Sequence, residues 1–201
     1  MDFAATDPGT SAGKRAAAST KIVVAGGFGV GKTTLVGSVS EIMPLRTEAL
    51  VTNESEGVDD LAAVPGKSTT TVAMDFGRLT LAEDLVLYLF GTPGQRRFWF
   101  MWDDLCRGAI GAIVMVDTNR LDESFSPLDY FESKKIPFIV AVNQFDNAQQ
   151  YPLEEIRAAL AIPEHVPMIE IDARQRESCK RALIRITEYS LEQLTASAAA
   201  Y

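Results

Sequence analysis

Lys21-Ile22-Val23-Val24-Ala25-Gly26-Gly27-Phe28-Gly29-Val30-Gly31-Lys32-Thr33-Thr34 is the stretch that decides the fold of this chain. Gly26 and Gly31 flank four residues and lead into Lys32-Thr33, which satisfies G-x-x-x-x-G-K-[ST], the phosphate-loop signature. The flanks agree with the motif. Ile22 to Ala25 is a short apolar, β-branched run that suits a strand buried on both faces. Lys32 to Val39 reads as a helix with Leu35, Val36 and Val39 on its inner side. Glycines let such a loop take backbone angles that a side chain forbids, so successive N–H groups can converge on one anion-sized hollow. The positive end of the following helix adds to that field. The backbone of Gly26, Gly27, Phe28, Gly29, Val30, Gly31, Lys32, Thr33 and Thr34 is therefore read as a polyphosphate cradle. Lys32 would reach the β- and γ-phosphates, and the Thr33 hydroxyl would ligate Mg²⁺.

Composition narrows the partners. A chain of 201 residues, 47% hydrophobic and 23% charged, fits one globular domain with tails. A net charge of −8 leaves no basic stripe for a nucleic acid. Cys106 and Cys179 stand far apart in no metal spacing and read as reduced thiols. His165 is the single histidine, so zinc sites and histidine-activated nucleophiles are set aside. No run approaches the roughly 18 apolar residues of a membrane helix. The ends, Met-Asp-Phe and Ala-Ala-Ala-Tyr, carry no signal peptide and no lipidation box. The expectation is a cytoplasmic protein recruited to a membrane, if at all, by a partner.

Along the chain, residues 1–19 read as a disordered tail, 20–195 as one domain and 196–201 as a second tail. Pro44 to Thr70 is long and irregular, with Glu54, Glu56, Asp59 and Asp60. Val72–Leu81 and Leu85–Phe90, separated by Ala82-Glu83-Asp84, predict an antiparallel hairpin whose second, nearly all-apolar strand lies inside the sheet. Arg96–Cys106 is expected to be helical and Ile110–Val116 a strand. Ser124 caps a helix through Lys134. Phe138–Val142 and Met168–Ile171 are strands, and Leu153–Leu160 is a helix. Arg174–Leu194 is a long amphipathic helix with Ala182, Ile186, Tyr189 and Leu194 inward. This alternation predicts an α/β, doubly wound, mostly parallel six-stranded sheet with helices on both faces and ligands at the carboxyl ends of the strands.

Asn143-Gln144-Phe145-Asp146 follows a strand directly, where a base-binding loop belongs. An ionised Asp146 could accept from both N1–H and the 2-amino group of guanine, whereas adenine offers a lone pair at N1 and no 2-amino group. Each such charge-assisted bond is worth roughly 1.5–3 kcal/mol. Asn143 would tie this loop to the phosphate loop. In Asp172-Ala173-Arg174, the small Ala173 leaves its N–H free for guanine O6. Asp172 either joins the base site or only caps the last helix.

The phosphate loop, Gly91-Thr92-Pro93-Gly94-Gln95, Asn143-Gln144-Phe145-Asp146 and Asp172-Ala173-Arg174, in this order, resemble a Ras-like small GTPase. The segment from Phe90 to Leu105, with Phe98-Trp99-Phe100-Met101-Trp102 inside it, is similar to the bacterial conservon-type ATP/GTP-binding proteins, relatives of the gliding-motility GTPases. The likeness covers about residues 20 to 194. It implies a P-loop NTPase of the small G-domain type that binds GTP or GDP with Mg²⁺. Thr71 would be the switch threonine that senses the γ-phosphate and Mg²⁺, although Thr69 and Thr70 fit the sequence equally well. Gly94 would give its N–H to the γ-phosphate, and Gln95 would orient the attacking water.

The departures from that pattern carry information. Gly91 stands where small GTPases have an aspartate on the metal side. Asp75 lies four residues from Thr71, hence on the same strand face, and could substitute, which makes Thr33, Thr71 and Asp75 the metal set. Gln144 replaces a lysine that covers the base, and Arg174 replaces another lysine. No arginine adjoins Thr71; Arg96 or Arg97 either supplies one or forms a solvated face. Slow intrinsic hydrolysis is expected. One helix cannot bury Phe98 to Trp102 on one side, so part of this run should face outward as an interface anchor. By resemblance, the partners are a roadblock-type regulator and a membrane sensor-kinase complex. The first functional reading is a GTP·Mg-dependent switch signalling through partners. A nucleotide-loaded interaction module with negligible hydrolysis is the alternative, and an ATPase or small kinase is opposed by Asp146.

Overall fold

The computed structural model describes residues 18–43, 45–52, 69–146 and 148–199, with 45–52, 69–73 and 96 described by backbone alone. Its centre is β1 (Ala18–Gly26), flanked by β4 (Leu85–Gly91) and β5 (Gly111–Val116). The other strands are β2 (Leu45–Thr52), β3 (Thr69–Ala82), β6 (Phe138–Asn143) and β7 (Met168–Ile171). They form a sheet of order β2-β3-β4-β1-β5-β6-β7, in which the β2–β3 and β3–β4 pairs are antiparallel and every other pair is parallel. The helices are α1 (Lys32–Val39), α2 (Trp102–Cys106), α3 (Asp122–Lys134), α4 (Leu153–Ala159) and α5 (Arg176–Ala199).

Strand alternation sorts the apolar residues into two layers. Ile22, Val24, Ile113 and Met115 pack beneath α1 and α5, against Leu35, Val36, Val39, Ala182 and Ile186. Val23, Ala25, Val114 and Val116 face the opposite way, against Trp102, Leu128, Phe131 and Ile156. Both faces of β5, of β6 as far as Val142 and of β1 from Ile22 onward are covered, which is why those stretches are apolar without a polar phase. The chain turns left from β1 through β2, β3 and β4 and then right through β5. That reversal puts a crevice at the carboxyl end of β1, where the phosphate loop begins.

Several boundaries differ from the sequence expectation. Leu45–Thr52 forms a seventh strand beside β3 within the stretch expected to be irregular; residues 53–68 of that stretch lie outside the described residues. Residues 1–17 lie outside them too, but Ala18 and Ser19 already belong to β1, and α5 runs on through Ala199. Arg96–Met101 is a 3₁₀ helix that becomes α-helical only at Trp102. Ser124 is not a cap. Asp117 caps the short 3₁₀ turn Thr118–Arg120, which feeds α3 two residues earlier, so Ser124 is buried in the first turn of the helix. Leu194 is 62% exposed, because α5 has outrun the sheet by that point.

Candidate functional site

The phosphate loop owes its shape to three glycines with positive φ: Gly26 (139°), Gly29 (74°) and Gly31 (106°). Gly31 is the N-cap of α1 in the left-handed region, and no side chain among the described residues caps the helix there. The first N–H groups of α1 are thus left to an anion. A hollow of about 350 Å³ opens over them, lined by Gly29, Lys32, Thr33, Asp75, Thr92 and Gly94 among others. Lys32 is 8% exposed, and its Nζ donates to the Gly26 carbonyl (2.9 Å) and the Gly27 carbonyl (2.6 Å). Burial lowers its pKa to about 8, although the Asp75 and Glu123 carboxylates pull it partly back up.

Asp75 reaches the site across the hairpin. In the β3–β4 register it stands opposite Gly91, and a Cβ built on Gly91 would lie 2.9 Å from its Cβ and 3.0 Å from Oδ2. The Thr33 hydroxyl donates to Asp75 Oδ2 at 2.7 Å. Asp75 thus places a carboxylate beside Gly91, in the space a side chain at 91 would need. The Thr92 hydroxyl, buried against the same hollow, has no hydrogen-bond partner among the described residues. Two hydroxyls and a carboxylate are hard oxygen donors of the kind Mg²⁺ takes alongside phosphate oxygens. Thr71 lies in β3 opposite Leu50, and its side chain is outside the description.

Gly94 approaches the phosphate loop so closely that a Cβ there would lie 2.9 Å from both N and Cα of Phe28. Gln95, next in sequence, is exposed and does not line the hollow; Arg97 Nε donates to its Oε1 at 3.0 Å. Arg97 also rests on the Phe98 ring, 4.8 Å from its centroid.

On the other flank, buried Asn143 joins three segments. Its Nδ2 donates to the Val30 carbonyl (3.0 Å), and its Oδ1 accepts from the Ala173 N–H (3.0 Å). The Ala173 amide is thus not free, contrary to the expectation for guanine O6, because Asn143 comes from the strand alongside and takes it. Asp146 Oδ2 accepts from Arg174 Nη1 (2.7 Å), while Arg174 Nε donates to Asp172 Oδ1 (2.9 Å). This pairing lowers the Asp172 pKa and raises that of Arg174. Asp172 Oδ1 also accepts from the Arg174 N–H, closing the turn before α5. Gln144 Nε2 lies 3.4 Å from Glu170 Oε2, at the surface.

Part of the aromatic run faces outward as expected, and one cluster beside the loop escapes the sequence reading. The aromatic run is divided between core and surface: Phe98 and Trp102 are buried, Trp99 and Met101 are half-buried, and Trp102 packs on Tyr130 (5.0 Å) and Phe131 (6.0 Å). Phe100 is the member that faces out, 51% exposed. The change from 3₁₀ to α geometry turns successive residues through different angles, so the run wraps into the core instead of lying on one helix face. Asp117, Arg120 and Glu123 went unremarked in the sequence, yet Arg120 and Glu123 sit against the phosphate loop, with Arg120 Nη1 donating to the Phe28 carbonyl at 2.8 Å and Asp117 holding Arg120 from behind. The available signal was their place just after a buried strand, at its carboxyl end.

A central strand, a glycine loop, a buried lysine and an N-terminally open helix at the sheet's reversal define a P-loop NTPase with a G-domain fold. The chain belongs to the family described as conserved hypothetical ATP binding protein, whose profile matches residues 24–193. An uncharacterized protein of Methanocaldococcus jannaschii is 34% identical over 128 residues, 63% of this chain and 70% of that protein. A Ras-related protein of Arabidopsis thaliana is 25% identical over 128 residues, 59% of this chain and 63% of that one. Among solved structures, the G domain of the T. maritima FeoB iron transporter superposes with a TM-score of 0.59 at 21% identity, covering 86% of this chain and 99% of that domain.

Proposed function

We propose that this chain binds GTP and GDP with Mg²⁺ and acts as a molecular switch with slow intrinsic hydrolysis. The observation that carries the reading is the Asn143 bridge. It ties the phosphate loop at Val30 to Ala173 and to the loop that bears Asp146, so that cradle and base selector form one unit. Lys32 and the amides of Gly27 to Thr33 hold the polyphosphate. Asp146, kept in place by Arg174, accepts from guanine N1–H and the 2-amino group. Thr33 and Asp75 would hold Mg²⁺, with Thr71 joining them, and the ion would supply charge neutralisation to the bound polyphosphate. Gly94 abuts the loop where a γ-phosphate would meet it, and Gln95 orients the water once GTP has drawn it away from Arg97.

Slow hydrolysis follows from Gln95 being held outside the hollow, and the same observation supports the second reading, a loaded interaction module that scarcely turns over. Exposed Phe100, shortly after Gln95, is the proposed outward anchor for partners. By the conservon-type resemblance these are a roadblock-type regulator and a membrane sensor-kinase complex, met from the cytoplasm.

Calorimetric titration with GDP, GTP and ATP, with and without Mg²⁺, tests the proposal. GDP and GTP should bind in preference to ATP, and Asp146→Ala should lose most of that preference, roughly 1.5–3 kcal/mol for each hydrogen bond removed. Preference for ATP, or uptake of GDP that survives Lys32→Ala, overturns it. Multiple-turnover phosphate release by the parent and by Gln95→Ala separates switch from module.

A further inference from the structure

We infer that Arg120 is a positioning residue for the phosphate loop: it fixes the peptide between Phe28 and Gly29 so that the Gly29 N–H faces the hollow. The inference rests on the nucleotide reading above and adds a residue to it. Arg120 Nη1 donates to the Phe28 carbonyl at 2.8 Å, while Nε and Nη2 grip Asp117 Oδ2 at 3.1 and 3.0 Å. Asp117 is itself locked, being 7% exposed, with its Oδ1 accepting from the Asn119 N–H at 3.0 Å. The guanidinium is thus a rigid strut between the end of β5 and the loop.

A trans peptide is planar, with its C=O and N–H pointing in opposite directions, and the described residues contain no cis peptide. Holding the Phe28 carbonyl outward therefore turns the Gly29 N–H inward. Gly29 needs such a hold, since its φ of 74° lies in a region glycine enters and leaves freely.

Charge gives Arg120 a second task. The Glu123 carboxylate presses on the loop from outside, so that a Cβ built on Gly27 would collide with it. Glu123, so close to the loop, opposes a polyphosphate, and Arg120 pairs with it at 3.5 Å as well as with Asp117 at 3.0 Å. A lysine would preserve the charge but could not grip a carboxylate with two nitrogens and a carbonyl with a third.

The experiment measures GDP affinity by calorimetry on the full chain, alongside apo melting, for the parent, Arg120→Ala, Arg120→Lys and Arg120→Ala with Glu123→Gln. Arg120→Ala should weaken GDP binding about tenfold or more while the apo melting midpoint stays close to the parent's. Arg120→Lys should recover only a minor part of the loss, and Glu123→Gln the part due to repulsion. GDP affinity within twofold of the parent in Arg120→Ala, full recovery with lysine, or a loss of affinity that follows a matching fall in apo melting each overturns the inference. A parent protein that takes up no GDP overturns the nucleotide reading instead, and Lys32→Ala, which leaves Arg120 in place, tells the two failures apart.

Discussion

Raising the pH from 7 to 8.5 should weaken polyphosphate binding by an amount that Lys32 alone sets. Its pKa in the empty loop is lowered from 10.5 to about 8, chiefly by burial. In the unfolded chain the lysine keeps its ordinary value, so between about pH 8 and 10.5 the unfolded state binds more protons and folding stability rises with pH. Below pH 8 the folded protein carries the full cost of a buried cation, about 3 kcal/mol. A polyphosphate supplies the counter-charge that burial removed and returns the lysine to its charged form. Binding above pH 8 must therefore take up a proton. With a pKa of about 8 in the free site and one well above 8.5 in the complex, affinity falls about fourfold from pH 7 to 8.5. Uptake rises from about a tenth of a proton to roughly three-quarters. Calorimetry of GDP binding in two buffers of different ionisation enthalpy measures both quantities. In Lys32→Arg, whose guanidinium stays charged over this range, whatever binding survives should be flat with pH. An affinity in the parent that is flat from pH 7 to 8.5, with no proton uptake, would refute the reasoning.

Further outcomes follow from the same geometry. Asp75→Ala should leave Mg²⁺-free nucleotide binding nearly intact and remove most of the gain that Mg²⁺ brings, as measured by paired titrations. Gly91→Asp alone should destabilise the protein by about 1–3 kcal/mol in urea unfolding, since the new side chain meets Asp75 at overpacked distance. Combining it with Asp75→Gly should recover both stability and Mg²⁺ dependence; a double variant no better than the single one would disprove the exchange of roles. Trp102→Ala, at 1% exposure against Tyr130 and Phe131, should cost about 3–5 kcal/mol in the same unfolding assay.

Local chemistry is what the sequence made legible. A glycine loop, a lysine and a helix start are contiguous in the chain, so Gly26 to Thr34 could be read without knowing what lies beside them. The apolar runs of β1, β5 and β6 announced strands covered on both sides, and the doubly wound architecture followed from their alternation with helices. Asp75 was reachable only as a candidate, because strand alternation gives the face of a side chain but not its neighbour across the hairpin. The register that sets it against Gly91, 2.7 Å from the Thr33 hydroxyl, belongs to the folded sheet.

Tertiary structure decided the rest. The Ala173 amide looked free in the sequence and is taken by Asn143, thirty residues away, since parallel strands bring the two loops to one edge. The sequence said that part of the run from Phe98 to Trp102 must face outward; the fold chose Phe100 for the surface and took Phe98 and Trp102 into the core. Arg120 carries no motif, and only the closure of the sheet brings its guanidinium to a carbonyl ninety-two positions earlier. A sequence fixes the contacts that backbone periodicity makes between near neighbours; contacts between distant side chains depend on strand register and helix docking, which the packing of the whole core selects.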